Sequence, residues 1–189
     1  MRRIPIEPRE NWRQIAEDNG FFFHHVNGEI YWDESVCYAL NLEEIESGLE
    51  DPAQEIADMC LDLAADIVNS EEMLSALAIP AAFWDLIRDS WQRNEPSLYG
   101  RFDFAYDGHG PAKLYEYNAD TPTSLYEAAY FQWLWLEDCL ASGKLPEGAD
   151  QFNSIQERLC ETFATFHVPG IMHFASMKDT EEDRATVEY

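Results

Sequence analysis

The chain has 189 residues, 46% of them hydrophobic, enough for one large domain with a substantial core. Twelve basic residues stand against 37 acidic ones, a formal net charge of −25. Such a field excludes nucleic acid and anionic membranes, which need clustered Lys and Arg, and it suits either cationic partners such as metal ions and polyamines or a plain solubilising surface.

In chain order, the first eleven residues read as an irregular lead-in, followed by a short helix from Trp12 to Asp18 that Gly20 stops. FFFHHVNGEIYWDES then reads as two strands about an Asn27-Gly28 turn, a strong hairpin signal. On strand alternation, His24 and His25 point to opposite faces and do not share an ion. Residues 43–51 read as a solvated loop or short helix face. The clearest helix covers 52–69: Asp51 caps it, Pro52 suits its first turn, and Ile56, Met59, Cys60, Leu63, Ile67 and Val68 share one face. A second helix is predicted over 80–92.

After the 101–118 segment, residues 123–142 form a long, mostly buried helix in which Tyr126, Tyr130, Trp133 and Trp135 read as core. Asp120 reads as a helix cap. A loop over 142–150 and an amphipathic helix over 151–166 follow. GIMHFAS reads as a short buried strand, and Asp179 or Thr180 caps a closing helix. A strand and the start of a helix form an unfinished βα unit, so the reading expects a chain that continues past Tyr189, and marginal stability or homodimerisation without that continuation.

The four cysteines, Cys37, Cys60, Cys139 and Cys160, include no CxxC pair, and no histidine stands at zinc-ligand spacing from them. Three fall within apolar helical patterns, which points to a reducing, cytoplasmic setting. His109 is read as solvated in a turn, and His167 and His173 as buried and hydrogen-bonded. The longest stretch free of Asp, Glu, Lys and Arg, 162–177, contains Pro169-Gly170; it is too short and broken for the ~20 apolar residues of a membrane span.

The segment RFDFAYDGHGPAKLYEYNAD, 101–120, carries the chemistry. DGHGP is a turn cluster. With residues 108–111 as a four-residue loop, antiparallel pairing sets Asp103 opposite Glu116 and Arg101 opposite Asn118. Period-two alternation then gathers these four on one face and Phe102, Phe104, Tyr115 and Tyr117 on the other. Facing carboxylates repel unless a cation sits between them. Such oxygen ligands suit Mg²⁺, and an Arg beside them suits phosphoryl transfer. A solvated polar face with an Arg–Asp pair is the competing reading.

YGRFDF, then YEYNADTPTSLYEA and QWLWLE, resembles the glutathionylspermidine synthase family of ATP-grasp ligases. IPIEPRENW, GFFFHHVNGEIYWDES, HFAS and EEDRATVEY extend the resemblance over all 189 residues, as the N-terminal half of a family member. It implies an α+β fold, a partial ATP-grasp with helices on a mixed or antiparallel sheet, taken as a single region 1–189. It implies an ATP- and Mg²⁺-dependent ligase that joins a carboxylate, glutathione-like or another acid, to a polyamine-like amine through an acyl phosphate. By the same resemblance Asp103, Glu116 and Asn118 hold two Mg²⁺ ions, Arg101 contacts ATP and stabilises the transition state, Arg101, Phe102 and Asp103 lie against the nucleotide, and Thr121 and Thr123 contact the acid substrate. TPTS at 121–124 differs from the Ser- and Cys-containing sequence of the glutathione-using enzyme, and the ATP-clamp lysines are not found in the chain. The alternative is a truncated, non-catalytic metal-binding or interaction protein.

Overall fold

The computed structural model describes residues 1–119, 123–167 and 169–189, and the chain divides into two compact units, Met1–Leu40 with Asn118–Tyr189, and Asn41–Tyr117. Helices and small two-stranded sheets make both α+β in character. Among the described residues no helix is long and apolar enough to cross a membrane.

The first unit begins with a strand, not an irregular lead-in. β1 (Arg2–Pro5) pairs antiparallel with β4 (Val36–Ala39), Arg2 opposite Ala39 and Pro5 opposite Val36. Local signals miss this strand because it is four residues long, fully exposed, and ends in proline. α1 (Trp12–Asp18) closes as the sequence predicts. Gly20 takes φ +82°, its N–H reaches the Glu17 carbonyl (3.0 Å), and the Phe21 N–H reaches that of Ala16 (2.8 Å), a Schellman motif. β2 (His25–Val26) and β3 (Glu29–Ile30) flank Asn27 and Gly28, both at positive φ as a type I′ turn requires.

The core of this unit is aromatic. Trp12, Phe21, Phe23, Tyr126 and Phe131 are buried together with Ala16 and Ala185. Phe21 meets Phe23 and Phe131 edge-on at 4.6 and 4.7 Å between centroids, the favoured geometry for ring quadrupoles. The long helix opens with a π-helical stretch, Tyr126–Phe131, and continues as α6 (Gln132–Ala141). Of the predicted stripe Tyr126 is buried, whereas Trp133 is 44% exposed. The hydroxyls of Tyr126 and Tyr130 donate to the backbone and side-chain oxygens of Asn19. α7 covers Ile155–Thr165 and α8 covers Glu181–Glu188. Thr180 occupies the predicted cap position of α8 but makes no side-chain capping bond.

GIMHFAS does not form the expected buried strand: its described residues have no strand pairing, and Ile171 is 80% and Phe174 54% exposed. His167 and His173 are exposed rather than buried. A short apolar run specifies burial only if another element covers it, and here Phe163 of α7 meets Phe174 edge-on at 5.8 Å but leaves most of the run exposed. All four cysteines are free thiols; Cys139 is buried, as its apolar pattern implied, and Cys160 is exposed.

The second unit is helical with one hairpin. α2 (Leu42–Ile45) starts at Asn41 through a reciprocal capping box with Glu44. A π-helical stretch, Glu46–Glu50, leads into α3 (Asp51–Val68), so Asp51 lies inside a continuing helix and is not its cap. The 43–51 segment is therefore helical. Met59 and Leu63, on the apolar stripe of α3, are 64% and 52% exposed. α4 (Glu71–Ala76), which the sequence reading passed over, is capped by Ser70, and a 3₁₀ turn at Ala81–Phe83 leads into α5 (Trp84–Gln92). β5 (Arg101–Ala105) and β6 (Lys113–Asn118) form the hairpin, the last residue of β6 already belonging to the other unit.

Candidate functional site

β5 and β6 place the predicted residues on a two-stranded ribbon. Phe102 stacks on Phe104 at 5.5 Å and lies 4.2 Å from Tyr117, so the aromatic residues of both strands share one face. Alternation puts Arg101, Asp103 and Glu116 on the other. There Arg101 Nε donates to Asp103 Oδ1 (2.8 Å) and Nη2 to Oδ2 (3.3 Å), a two-point contact. That bond, followed by the charges of Asp103 and, further down, Glu116, raises the Arg101 pKa above its ordinary value against the opposing effect of desolvation. Both side chains are partly open to solvent, 30% and 43%. Such a pair adds at most about 1 kcal/mol to stability, so its consequence is orientation rather than strength.

Asn118 ends β6, and Thr123 lies just before the long helix. Thr121, like Asp120, lies outside the described residues. Among the described residues no group of three or more His, Cys, Asp and Glu side chains is arranged to hold a metal ion. The hairpin offers two carboxylates, Asp103 and Glu116, on one face, and oxygen donors of this kind suit a hard cation such as Mg²⁺.

Sequence reasoning missed the polar group beside the Thr123 position. The Tyr31 hydroxyl donates to Glu127 Oε1 (2.7 Å), and Glu127 is 7% exposed. Burial, then the bond to this carboxylate, pushes the Tyr31 pKa up to about 12, while the Ser124 hydroxyl works in the opposite sense. Ser124 holds a left-handed φ of +76°, which costs a non-glycine residue roughly 1–2 kcal/mol. Glu127 is the lone charged residue between Thr123 and Leu136. An isolated carboxylate in an apolar helix was the signal available for it.

The two histidines also depart from expectation. His24 occupies a bend before β2, so strand alternation does not govern it, and its Nδ1 lies 2.6 Å from Nδ1 of His25. Burial, then the neighbouring His25, lowers the His24 pKa; Glu17 opposes this and Arg13 adds to it. With the folded pKa depressed, the contribution is fully present above the ordinary value of about 6.5 and is lost as pH falls below it. On acidification from about pH 7 to pH 5, the Tm of the wild-type protein is expected to fall more steeply than that of His24→Gln. Parallel curves would mean that His24 titrates as it does in the unfolded chain.

Comparison with known proteins follows the same direction as the hairpin. The sequence matches the family described as glutathionylspermidine synthase preATP-grasp over residues 3–189. It is 40% identical over 200 residues to a putative acid–amine ligase of Haemophilus influenzae, covering 100% of this chain and 48% of that protein. It is 29% identical over 136 residues to a trypanothione synthetase of Crithidia fasciculata (71% of this chain, 20% of that one). To a bifunctional glutathionylspermidine synthetase/amidase of Escherichia coli it is 27% identical over 159 residues (84% and 25%). These relatives are named as ligases and synthetases, and the chain spans less than half the length of each. The chain belongs to the glutathionylspermidine synthase preATP-grasp family.

Proposed function

We propose that the full-length protein is an ATP- and Mg²⁺-dependent ligase that joins an acid to an amine, and that this chain is its N-terminal half, contributing to a partial ATP-grasp fold. The observation that carries this is Arg101, Asp103 and Glu116 on one face of a hairpin, in a chain whose relatives are named as ligases. Asp103 and Glu116, with Asn118, would hold the metal, which supplies charge neutralisation at the nucleotide phosphates. Arg101, Phe102 and Asp103 would run along the nucleotide, Phe102 through its backbone, since its ring packs on Phe104 and Tyr117 on the opposite face of the ribbon. Arg101, oriented by its two-point contact with Asp103, stabilises negative charge on the phosphoryl group passing to the acid. Thr121 and Thr123 contact the acid. The amine then attacks the activated carbonyl carbon and phosphate leaves. The net charge of −25 favours a cationic amine such as a polyamine, and gives no nucleic-acid or membrane role.

The test is phosphate release from ATP by the full-length protein across a panel of acids and amines. Release that requires one acid and one amine together, and Mg²⁺, is the expected result. Absence of turnover across a broad panel, with Mg²⁺ still bound, would favour a non-catalytic metal-binding protein.

A further inference from the structure

The turn end of the β5–β6 hairpin rests on one residue of the helical layer in the same unit. In an uninterrupted helix, residue 52 would donate its N–H to the carbonyl of residue 48. Residue 52 is Pro52, which has no N–H to give. The Gly48 carbonyl instead accepts the Ala112 N–H at 2.8 Å. Ala112 is buried and immediately precedes β6. Tyr106, immediately after β5, lays its ring on Gly48: a Cβ there would stand 2.9 Å from Tyr106 Cζ and closer still to its hydroxyl oxygen. The same hydroxyl reaches the Glu44 carbonyl at 3.4 Å. Both strands therefore leave the turn from a seat made of a glycine that has no side chain and a carbonyl that the next turn's proline cannot claim. The π-helical stretch Glu46–Glu50, which contains Gly48, carries this seat.

We propose that Gly48 and Pro52 are positioning residues. They fix the hairpin at its turn end and so set where Asp103 and Glu116 stand. The bearing on metal binding rests on the reading under Proposed function; the mechanical joint does not. The two residues act differently, which makes the joint testable. Pro52→Ala restores an N–H that competes for the Gly48 carbonyl and closes the regular helical bond. It is expected to leave Tm unchanged or higher, because interior proline disfavours helix. Yet it should speed hydrogen exchange of the Ala112 amide roughly tenfold, as for one lost hydrogen bond, and weaken Mg²⁺ binding several-fold. Gly48→Ala drives a methyl into the Tyr106 ring. Its effects should be non-additive with Tyr106→Ala, which removes the clash.

The measurements are amide exchange and titration with Mg²⁺ alone, on the full-length protein, with Asp103→Ala as control. Unchanged Ala112 exchange in both Pro52→Ala and Gly48→Ala would overturn the joint. Faster exchange with unchanged Mg²⁺ affinity would overturn the positioning role. If Asp103→Ala leaves Mg²⁺ affinity intact, the metal reading fails instead, and Ala112 exchange still decides the joint.

Discussion

Replacing Asp103 or Glu116 by alanine in the full-length protein is expected to lower ATP-dependent ligation by about 100- to 1,000-fold, the range for loss of one preorganised group acting on developing phosphoryl charge. The loss should appear in turnover rather than in folding. Asp103 is 43% exposed and Glu116 lies on an exposed strand, so neither removal opens a cavity. Thermal midpoints should move little, since the Arg101–Asp103 pair is open to solvent and contributes at most about 1 kcal/mol. Arg101→Lys sharpens the test. Lysine keeps the charge but cannot make the Nε and Nη2 contacts to one carboxylate, so kcat should fall while nucleotide affinity changes less. Wild-type turnover in Asp103→Ala and Glu116→Ala would remove the hairpin from the chemistry.

Glu34→Ala should be among the most destabilising single substitutions in the chain, by about 3–5 kcal/mol, because it strands a buried guanidinium. Arg9 and Glu34 expose 4% and 0% of their side chains. Glu34 accepts the Arg9 backbone N–H, its Nε and Nη2, and Trp32 Nε1. Arg9 also donates to Asp138 at 2.6 Å and lies 5.2 Å from the Phe131 ring centre. Burial by itself lowers the Arg9 pKa; the bonds and charges of Glu34 and Asp138 outweigh it, and the net shift is upward. Set against a typical net stability of about 5–15 kcal/mol, a loss of this size leaves little. Asp138→Ala is the contrast: its side chain is 42% exposed, and its removal should cost no more than about 1 kcal/mol. Urea titrations of the two variants decide it. Equal, small shifts in midpoint would mean that water enters and solvates Arg9 once Glu34 is gone.

Neither end of this network was legible in the sequence. Arg9 and Glu34 stand 25 residues apart and Asp138 lies 129 residues from Arg9, within segments read as lead-in, strand and helix. Nothing local marks an arginine after a proline as one that will be buried. β1 was missed for the same reason, since its partner begins 31 positions beyond its end, at Val36. The stretch before α3 read as a solvated loop or short helix face with Asp51 as cap; what Gly48 and Pro52 do there depends on Ala112 and Tyr106, some 60 residues on.

What the sequence determined by itself is what acts within a few residues. Gly20 ended α1, Asn27-Gly28 set a turn with two positive φ angles, and the Asp179-Thr180 pair marked where α8 starts, though Thr180 makes no side-chain capping bond. Alternation sorted Arg101, Asp103 and Glu116 from Phe102, Phe104 and Tyr117. Only the tertiary structure decided that Arg9 would be buried against Glu34, that His24 would meet His25, and that GIMHFAS would pair with no strand and stay largely exposed. Turns, caps and alternation are governed by backbone geometry a few bonds long, whereas burial and charge pairing depend on which distant segment arrives alongside.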